Sequence, residues 1–233
     1  MSEAYKKIFV LSQGCAANFG DGEKIARALK TANPNVEISF QFSDTTLKKG
    51  SPTNGATVGD TKADGAKTDD APVDDAAVDD APVDGAAVDD APITFYLNVC
   101  TVKGNSGAIK LLRSAHDAHP TAPIYITGCA PKDFVEEATK VCPQVRFTSL
   151  AEIESRCTGV GVLRESPFVG IVNIEEGCLD ACAFCSTHLV KGRLRSFAPD
   201  FIVARVRELV ADGCLEIQLT GQDCACYGFD RGT

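Results

Sequence analysis

Unbroken apolar runs recur along the chain: KIFVLS (7–12), VEISFQF (36–42), ITFYLNV (93–99) and APIYITG (122–128). Helical periodicity separates them, over 22–30 with Ile25, Ala26 and Leu29 on one face, over 107–118 and over 132–141. A strand apolar on both sides must be covered on both faces, so the alternation predicts a parallel sheet between two layers of helices. Residues 1–150 are therefore expected to form a doubly wound, flavodoxin-like α/β domain. After a linker at 151–166, PFVGIVNI (167–174), a cysteine-rich turn, a helix over 199–211 and LEIQLT (215–220) make a second strand–loop–helix–strand unit at 167–233.

One segment cannot take part in either unit. DDAPVDDAAVDDAPVDGAAVDDAP (69–92) repeats five residues of Asp, Ala, Pro and a single Val, too polar and too small to build a core. With its Gly-, Thr- and Lys-rich lead-in it reads as a disordered acidic insert at 47–92, a solvated tether or an interaction tail. The insert also accounts for the net charge of −9: residues 60–90 hold 11 Asp against Lys62 and Lys67, and elsewhere acids and bases balance. An acidic chain is thus no argument against a nucleic-acid partner.

The chain holds 11 cysteines and 44% hydrophobic residues in 233, enough for a real core without disulfide staples. It has no apolar run of membrane-spanning length, and MSEAYKKIFVLSQG lacks the apolar stretch and cleavage site of a secretory leader. A cytoplasmic chain with no membrane partner is expected. In that compartment clustered thiols serve metals or catalysis.

Two clusters of cysteine emerge. Cys15, Cys100 and Cys129 each follow a predicted strand, in the contexts QGCAAN, NVCTVK and TGCAPK. In an open parallel sheet the strands' carboxyl ends share one edge, so three thiols should converge there. Either they are three small buried residues, or they form a three-thiolate site suited to an iron–sulfur cluster with one open iron, or to zinc lacking a fourth ligand. Cys178, Cys182 and Cys185 are spaced CxxxCxxC after another strand, with Gly177 allowing a sharp turn. Three thiolates on a short loop leave a cluster iron open to substrate, whereas zinc ribbons pair two CxxC hooks. His188 is either a fourth ligand or a loop histidine.

CxxxCxxC after a first strand, with Phe184 before the third cysteine, resembles the radical S-adenosylmethionine enzymes. The order QGCAANFGDGE, LNVCTVK, TGCAPK, EEGCLDACAFC, KGRLRSF and LTGQDCACYG is similar to the methylthiotransferases that modify tRNA, and covers almost everything but the insert. Residues 185–228 resemble the archaeal and eukaryotic branch acting on threonylcarbamoyladenosine more than the bacterial branches acting on isopentenyladenosine or a ribosomal protein.

The resemblance implies that Cys178, Cys182 and Cys185 bind a [4Fe-4S] cluster whose open iron takes S-adenosylmethionine, and that Cys15, Cys100 and Cys129 bind a second [4Fe-4S] cluster carrying the sulfur to be inserted. One electron would cleave S-adenosylmethionine to a radical that takes hydrogen from carbon 2 of the adenine. The sulfur then attacks, and a second S-adenosylmethionine methylates it. Gln222 and Asp223 become candidate contacts to S-adenosylmethionine, or the cap of a turn. Lys191, Arg193 and Arg195 would meet tRNA phosphate or pack the rim. Cys142, Cys157, Cys214, Cys224 and Cys226 match no ligand position.

The second unit would be the beginning of a radical SAM partial (β/α) barrel. Only 67 residues follow Ser166, so a second polypeptide supplying the remaining strands and the RNA-binding domain is expected, besides tRNA and an electron donor protein. The competing readings are a non-catalytic electron-transfer module with two clusters and a zinc-stabilised interaction protein.

Overall fold

The computed structural model describes residues 6–42, 92–100, 105–155, 163–180, 182 and 191–232. Five strands, β1 (Lys7–Ser12), β2 (Glu37–Ser39), β3 (Ile93–Cys100), β4 (Ile124–Cys129) and β5 (Arg146–Phe147), pair in parallel in the order 2-1-3-4-5. That is the order of a flavodoxin-like sheet. The expected alternation of strand and helix is observed in α1 (Ala16–Ala32), α2 (Ser106–Ala118), α3 (Lys132–Val141) and α4 (Leu150–Ser155).

Successive residues of a strand face opposite sides, and the cores divide accordingly. Phe9, Leu11, Phe95 and Leu97 pack under Ile109 and Leu112 of α2 and Phe134 of α3. Ile8, Val10, Tyr96 and Tyr125 pack under Ile25 and Leu29 of α1 and Ile153 of α4. Each face carries a cross-strand stack, Phe9 on Phe95 at 5.0 Å and Tyr96 on Tyr125 at 4.8 Å between ring centroids.

Helix α1 starts six residues before the expected 22–30. Its first turns, AANFGDG, have poor helix propensity, but Gly20 and Gly22 are where it meets its neighbours most closely, so packing overrides propensity. β2 is only three residues of the expected 36–42. Part of the expected 151–166 linker is core: Ile153 is 5% exposed, and Leu163 packs against the same cluster. Apart from Pro92, whose carbonyl accepts from the Lys7 amide, the acidic insert lies outside the described residues.

The second unit pairs β6 (Val169–Asn173) in parallel with β9 (Glu216–Thr220). α5 (Pro199–Ala211) seals one face through Leu209 against Val172 and Cys214. Between them β7 (Glu175–Glu176) and β8 (Arg195–Ser196) form an antiparallel ribbon. No helix among the described residues is long and apolar enough to cross a membrane.

The two units meet where α1 lies on β6. Glu23 of α1 is 4% exposed there and accepts from the Glu165 amide at 3.2 Å. Burial pushes its carboxyl up to about 7, against the pull of Arg205 and Arg27. A folded-state value above 4.5 means that the folded protein keeps this proton longer than the unfolded chain. Stability from this group is therefore full in acid and is lost as pH rises through about 7. Replacing the carboxyl by an amide that keeps the bond to Glu165 should remove this dependence. Between pH 5 and 8, Glu23→Gln is expected to lose on the order of 2 kcal/mol less stability than the unchanged chain. Urea unfolding at the two pH values reads the difference, and equal losses would contradict the assignment.

Candidate metal centres

The chain order in this sheet reverses at β1 and β3, the place where open parallel sheets open a crevice at their carboxyl edge. Cys15 leaves β1 there as the N-cap of α1, and Cys100 ends β3. Cys129 ends β4 as the register partner of Cys100. The thiols of Cys15 and Cys100 both lie within electrostatic range of Cys129. The three cysteine-bearing strand ends thus lie at one edge of the sheet.

Local bonding holds this edge in shape. The Asn18 side chain donates to the carbonyls of Gln13 and Asn98, while the Asn98 side chain donates to the Asn18 carbonyl at 2.5 Å. This reciprocal pair ties the turn that carries Cys15 to the strand that carries Cys100. Gly14, at φ +107°, runs directly against Cys100: a Cβ on it would lie 2.4 Å from Cys100 Cβ and 2.8 Å from Sγ. Only glycine permits both the backbone angle and the approach.

Cys129 is buried, and burial pushes its thiol up to about 11 even with the Lys191 ammonium nearby. Such a thiol ionises only beside strong positive charge, as a metal supplies. Among the described residues no group of three or more His, Cys, Asp or Glu is drawn closely enough to hold a single metal ion. Thiols at strand ends are soft donors, the ligand type that zinc and iron–sulfur clusters share.

Of the triplet, Cys178 and Cys182 are described; Cys185, Phe184 and His188 lie outside the described residues. The Cys178 amide donates to the Gly192 carbonyl, which anchors the start of the loop where the chain returns. Gly177, at φ +79°, makes the turn, and a Cβ there would strike the Arg193 carbonyl.

The segment after β9 locks onto this turn. Gln222 Oε1 accepts from the Gly177 amide at 2.8 Å, and the buried carboxylate of Glu175 accepts from the Asp223 amide at 3.0 Å. Asp223 caps the short turn at Cys224–Cys226, accepting from the Ala225 amide and the Cys226 thiol. Both residues proposed from sequence as cosubstrate contacts therefore sit beside the triplet turn, with side-chain oxygens engaged in holding the loop.

The ribbon after the triplet reaches back to α1. Lys191 Nζ reaches Asp21 of α1 at 2.9 Å, and Asp21 holds it above its ordinary pKa although burial works against the charge. Arg195 pairs with Glu176 at 2.6 Å and lies over Phe197. Two of the three basic residues are thus paired with carboxylates of the protein, Lys191 partly buried and Arg195 at the surface. Beside the Cys129 edge a cavity of about 590 Å³ is lined by Asn98, Thr127, Gly128, Thr148, Lys191 and Arg195, among others.

Sequence reasoning passed over Asn18, Asp21, Asn98 and Glu175. The signal was a polar residue inside an apolar strand two positions before a cysteine, as in ITFYLNVC, and the repeated Gly-Cys pairs at 14–15, 128–129 and 177–178. The unassigned cysteines differ among themselves. Cys142 and Cys214 are buried in cores, Cys226 is buried against Asp223, Cys224 is exposed, and Cys157 lies outside the described residues.

No protein-family model matches the chain. It is 47% identical over 70 residues to the probable threonylcarbamoyladenosine tRNA methylthiotransferase of Methanothermobacter thermautotrophicus, covering 30% of this chain and 16% of that protein. It is 41% identical over 71 residues to the threonylcarbamoyladenosine tRNA methylthiotransferase of Drosophila melanogaster, covering 30% and 13%. A longer match of 165 residues at 29% identity, covering 58% and 33%, joins it to the tRNA-2-methylthio-N(6)-dimethylallyladenosine synthase of Salinispora arenicola. The chain thus spans a third or less of the length of these relatives, and over those stretches it resembles tRNA methylthiotransferases, with higher identity to the threonylcarbamoyladenosine branch.

The Gly14 approach can be tested without any metal. Gly14→Ala is expected to cost about 2 kcal/mol of stability through the strained backbone and the clash, and to speed alkylation of Cys100 as the Cys15 turn lifts away. Unfolding midpoints and mass-spectrometric labelling measure the two effects; an unchanged labelling rate would mean that the turn does not rest on Cys100.

Proposed function

We propose that this chain is the cluster-bearing part of a tRNA methylthiotransferase that places a methylthio group on carbon 2 of threonylcarbamoyladenosine beside the anticodon. What supports the proposal is that Cys15, Cys100 and Cys129 stand at strand ends on one edge of the sheet, beside the ribbon that follows the cysteine triplet, in a chain similar to tRNA methylthiotransferases. Cys15, Cys100 and Cys129 would hold one [4Fe-4S] cluster, and Cys178, Cys182 and Cys185 the other. With S-adenosylmethionine bound, these groups would supply a radical at one site and sulfur at the other.

The protein's own work is positioning. Gly14 and the Asn18–Asn98 pair set the first trio of thiols, and Glu175, Gly177 and Gln222 set the turn of the second. The cavity beside Cys129 is a place for a nucleobase between the two, with Lys191 and Arg195 at its wall. Gln222, through Nε2, and Asp223 are the candidate contacts to S-adenosylmethionine.

In this proposal the second unit is the first part of a partial (β/α) barrel. Leu215 and Leu219, 81% and 55% exposed on and beside β9, and Phe168 at 61% need covering, which a further polypeptide carrying the next strands would provide. Transfer to tRNA is expected only in its presence, in a cytoplasmic setting with an electron donor protein.

Anaerobic reconstitution with iron and sulfide tests the assignment. Replacing Cys15, Cys100 and Cys129 by alanine, or Cys178, Cys182 and Cys185, should each remove about half of the iron and its charge-transfer absorption. With dithionite and S-adenosylmethionine, only the second replacement should abolish release of deoxyadenosine. Iron binding without any deoxyadenosine would favour a non-catalytic electron-transfer module, and zinc uptake without absorption would overturn the proposal.

A further inference from the structure

Helix α1 carries Cys15 at its N-cap, and one and a half turns later it carries Asp21, 3% exposed. Three groups converge on this carboxylate. Oδ1 accepts from Asn173 Nδ2 at 2.8 Å and from Lys24 Nζ at 3.2 Å, and Oδ2 accepts from Lys191 Nζ at 2.9 Å. Asn173 is the last residue of the strand that leads into the triplet, and Lys191 lies on the segment that returns from it. A single buried carboxylate on the helix of one centre therefore holds both stems of the other.

The approach is close by construction. A Cβ on Gly20 would lie 2.5 Å from Asn173 Oδ1 and 2.8 Å from Ile171 Cγ2, so a larger residue would push β6 away from α1. Glu176 adds a second bridge across the seam, accepting from Lys24 of α1 at 2.7 Å and from Arg195 of β8. Burial disfavours its charge, but Lys24 and Arg195 hold it below the ordinary carboxylate range.

A buried ion network of this kind adds little net stability compared with apolar packing, because desolvating the charges offsets their attraction. Its geometric effect is larger: with three partners in fixed directions, one arrangement of the two stems satisfies Asp21, and a shifted one leaves a buried charge unpaired. We propose that Asp21 is a positioning residue, a buried tie that sets the cysteine-triplet turn against the Cys15–Cys100–Cys129 edge. Its role in spacing two clusters rests on the function proposed above; the tie itself does not.

The test is hydrogen exchange of the metal-free full chain. Asp21→Asn keeps the shape and an acceptor for Asn173, but removes the charge that holds Lys191. Exchange at 174–178 and 192–197 should rise roughly tenfold, while β1, β3 and β4 stay as protected as before. Ile25→Val, which trims the α1 core without touching the tie, should leave the ratio between the two regions unchanged. If Asp21→Asn does not fold, Lys191→Gln reads the same contact from the other side and should give the same local pattern.

A uniform rise across the sheet, or no rise at the ribbon, would overturn the proposal. After iron loading, magnetic coupling between the two reduced clusters should weaken in Asp21→Asn. A chain that takes up no iron would sink the proposed function while the exchange result still decides the tie. Normal iron uptake with unchanged exchange would sink the tie alone.

Discussion

Parallel pairing is the constraint on which the site depends. It sends every strand's carboxyl end to one edge, and the reversal of chain order between β1 and β3 separates their outgoing loops so that a crevice opens. Residues far apart in the chain then need only end their strands to become neighbours. Cys100 and Cys129 are paired by register alone, and Cys15 joins them through a turn that glycine allows to lie flat on Cys100. Antiparallel pairing would alternate the strand ends between two edges and scatter the same three thiols.

The sheet was legible because burial on both faces leaves unbroken apolar runs; β1 matches its run at both ends, as do α3 and α5. Legibility failed where tertiary contact outweighs local preference. The first turns of α1 fall outside the expected helix because they hold Asn18, Gly20 and Asp21, yet those residues are helical because each meets a specific neighbour: Asn98, β6 and Lys191. The cysteines could be found from spacing and strand position. Their supports could not, since a buried asparagine or carboxylate is recognised only by what lies across from it in space.

Those supports share a feature that cores avoid. Oδ1 of Asn18, Asn98 and Asn173 and Oε2 of Glu175 are buried without a hydrogen-bond partner among the described residues. An unpaired buried acceptor is destabilising by about 1–3 kcal/mol, so each of the four calls for a reason beyond packing. Such atoms concentrate where a structure is shaped for something other than its own stability. Here they lie around the two cysteine centres and the seam between them, while the sheet interior is filled by aromatic and aliphatic side chains.

Division of the thiols between two units makes the seam a part of any joint chemistry. Within the sheet, covalent connection and strand register set the spacing of Cys15, Cys100 and Cys129. Among the described residues nothing comparable links them to Cys178, which belongs to a ribbon outside that sheet. Apolar contact between α1 and β6 alone would tolerate sliding, since hydrophobic attraction has little directionality. Hydrogen bonds and ion pairs are directional, and those at Asp21 and Glu176 are placed where sliding would move one set of thiols past the other. The charged seam is therefore better understood as a ruler than as glue, which explains why a stretch so poor in helix formers and so rich in buried polar atoms sits immediately after Cys15.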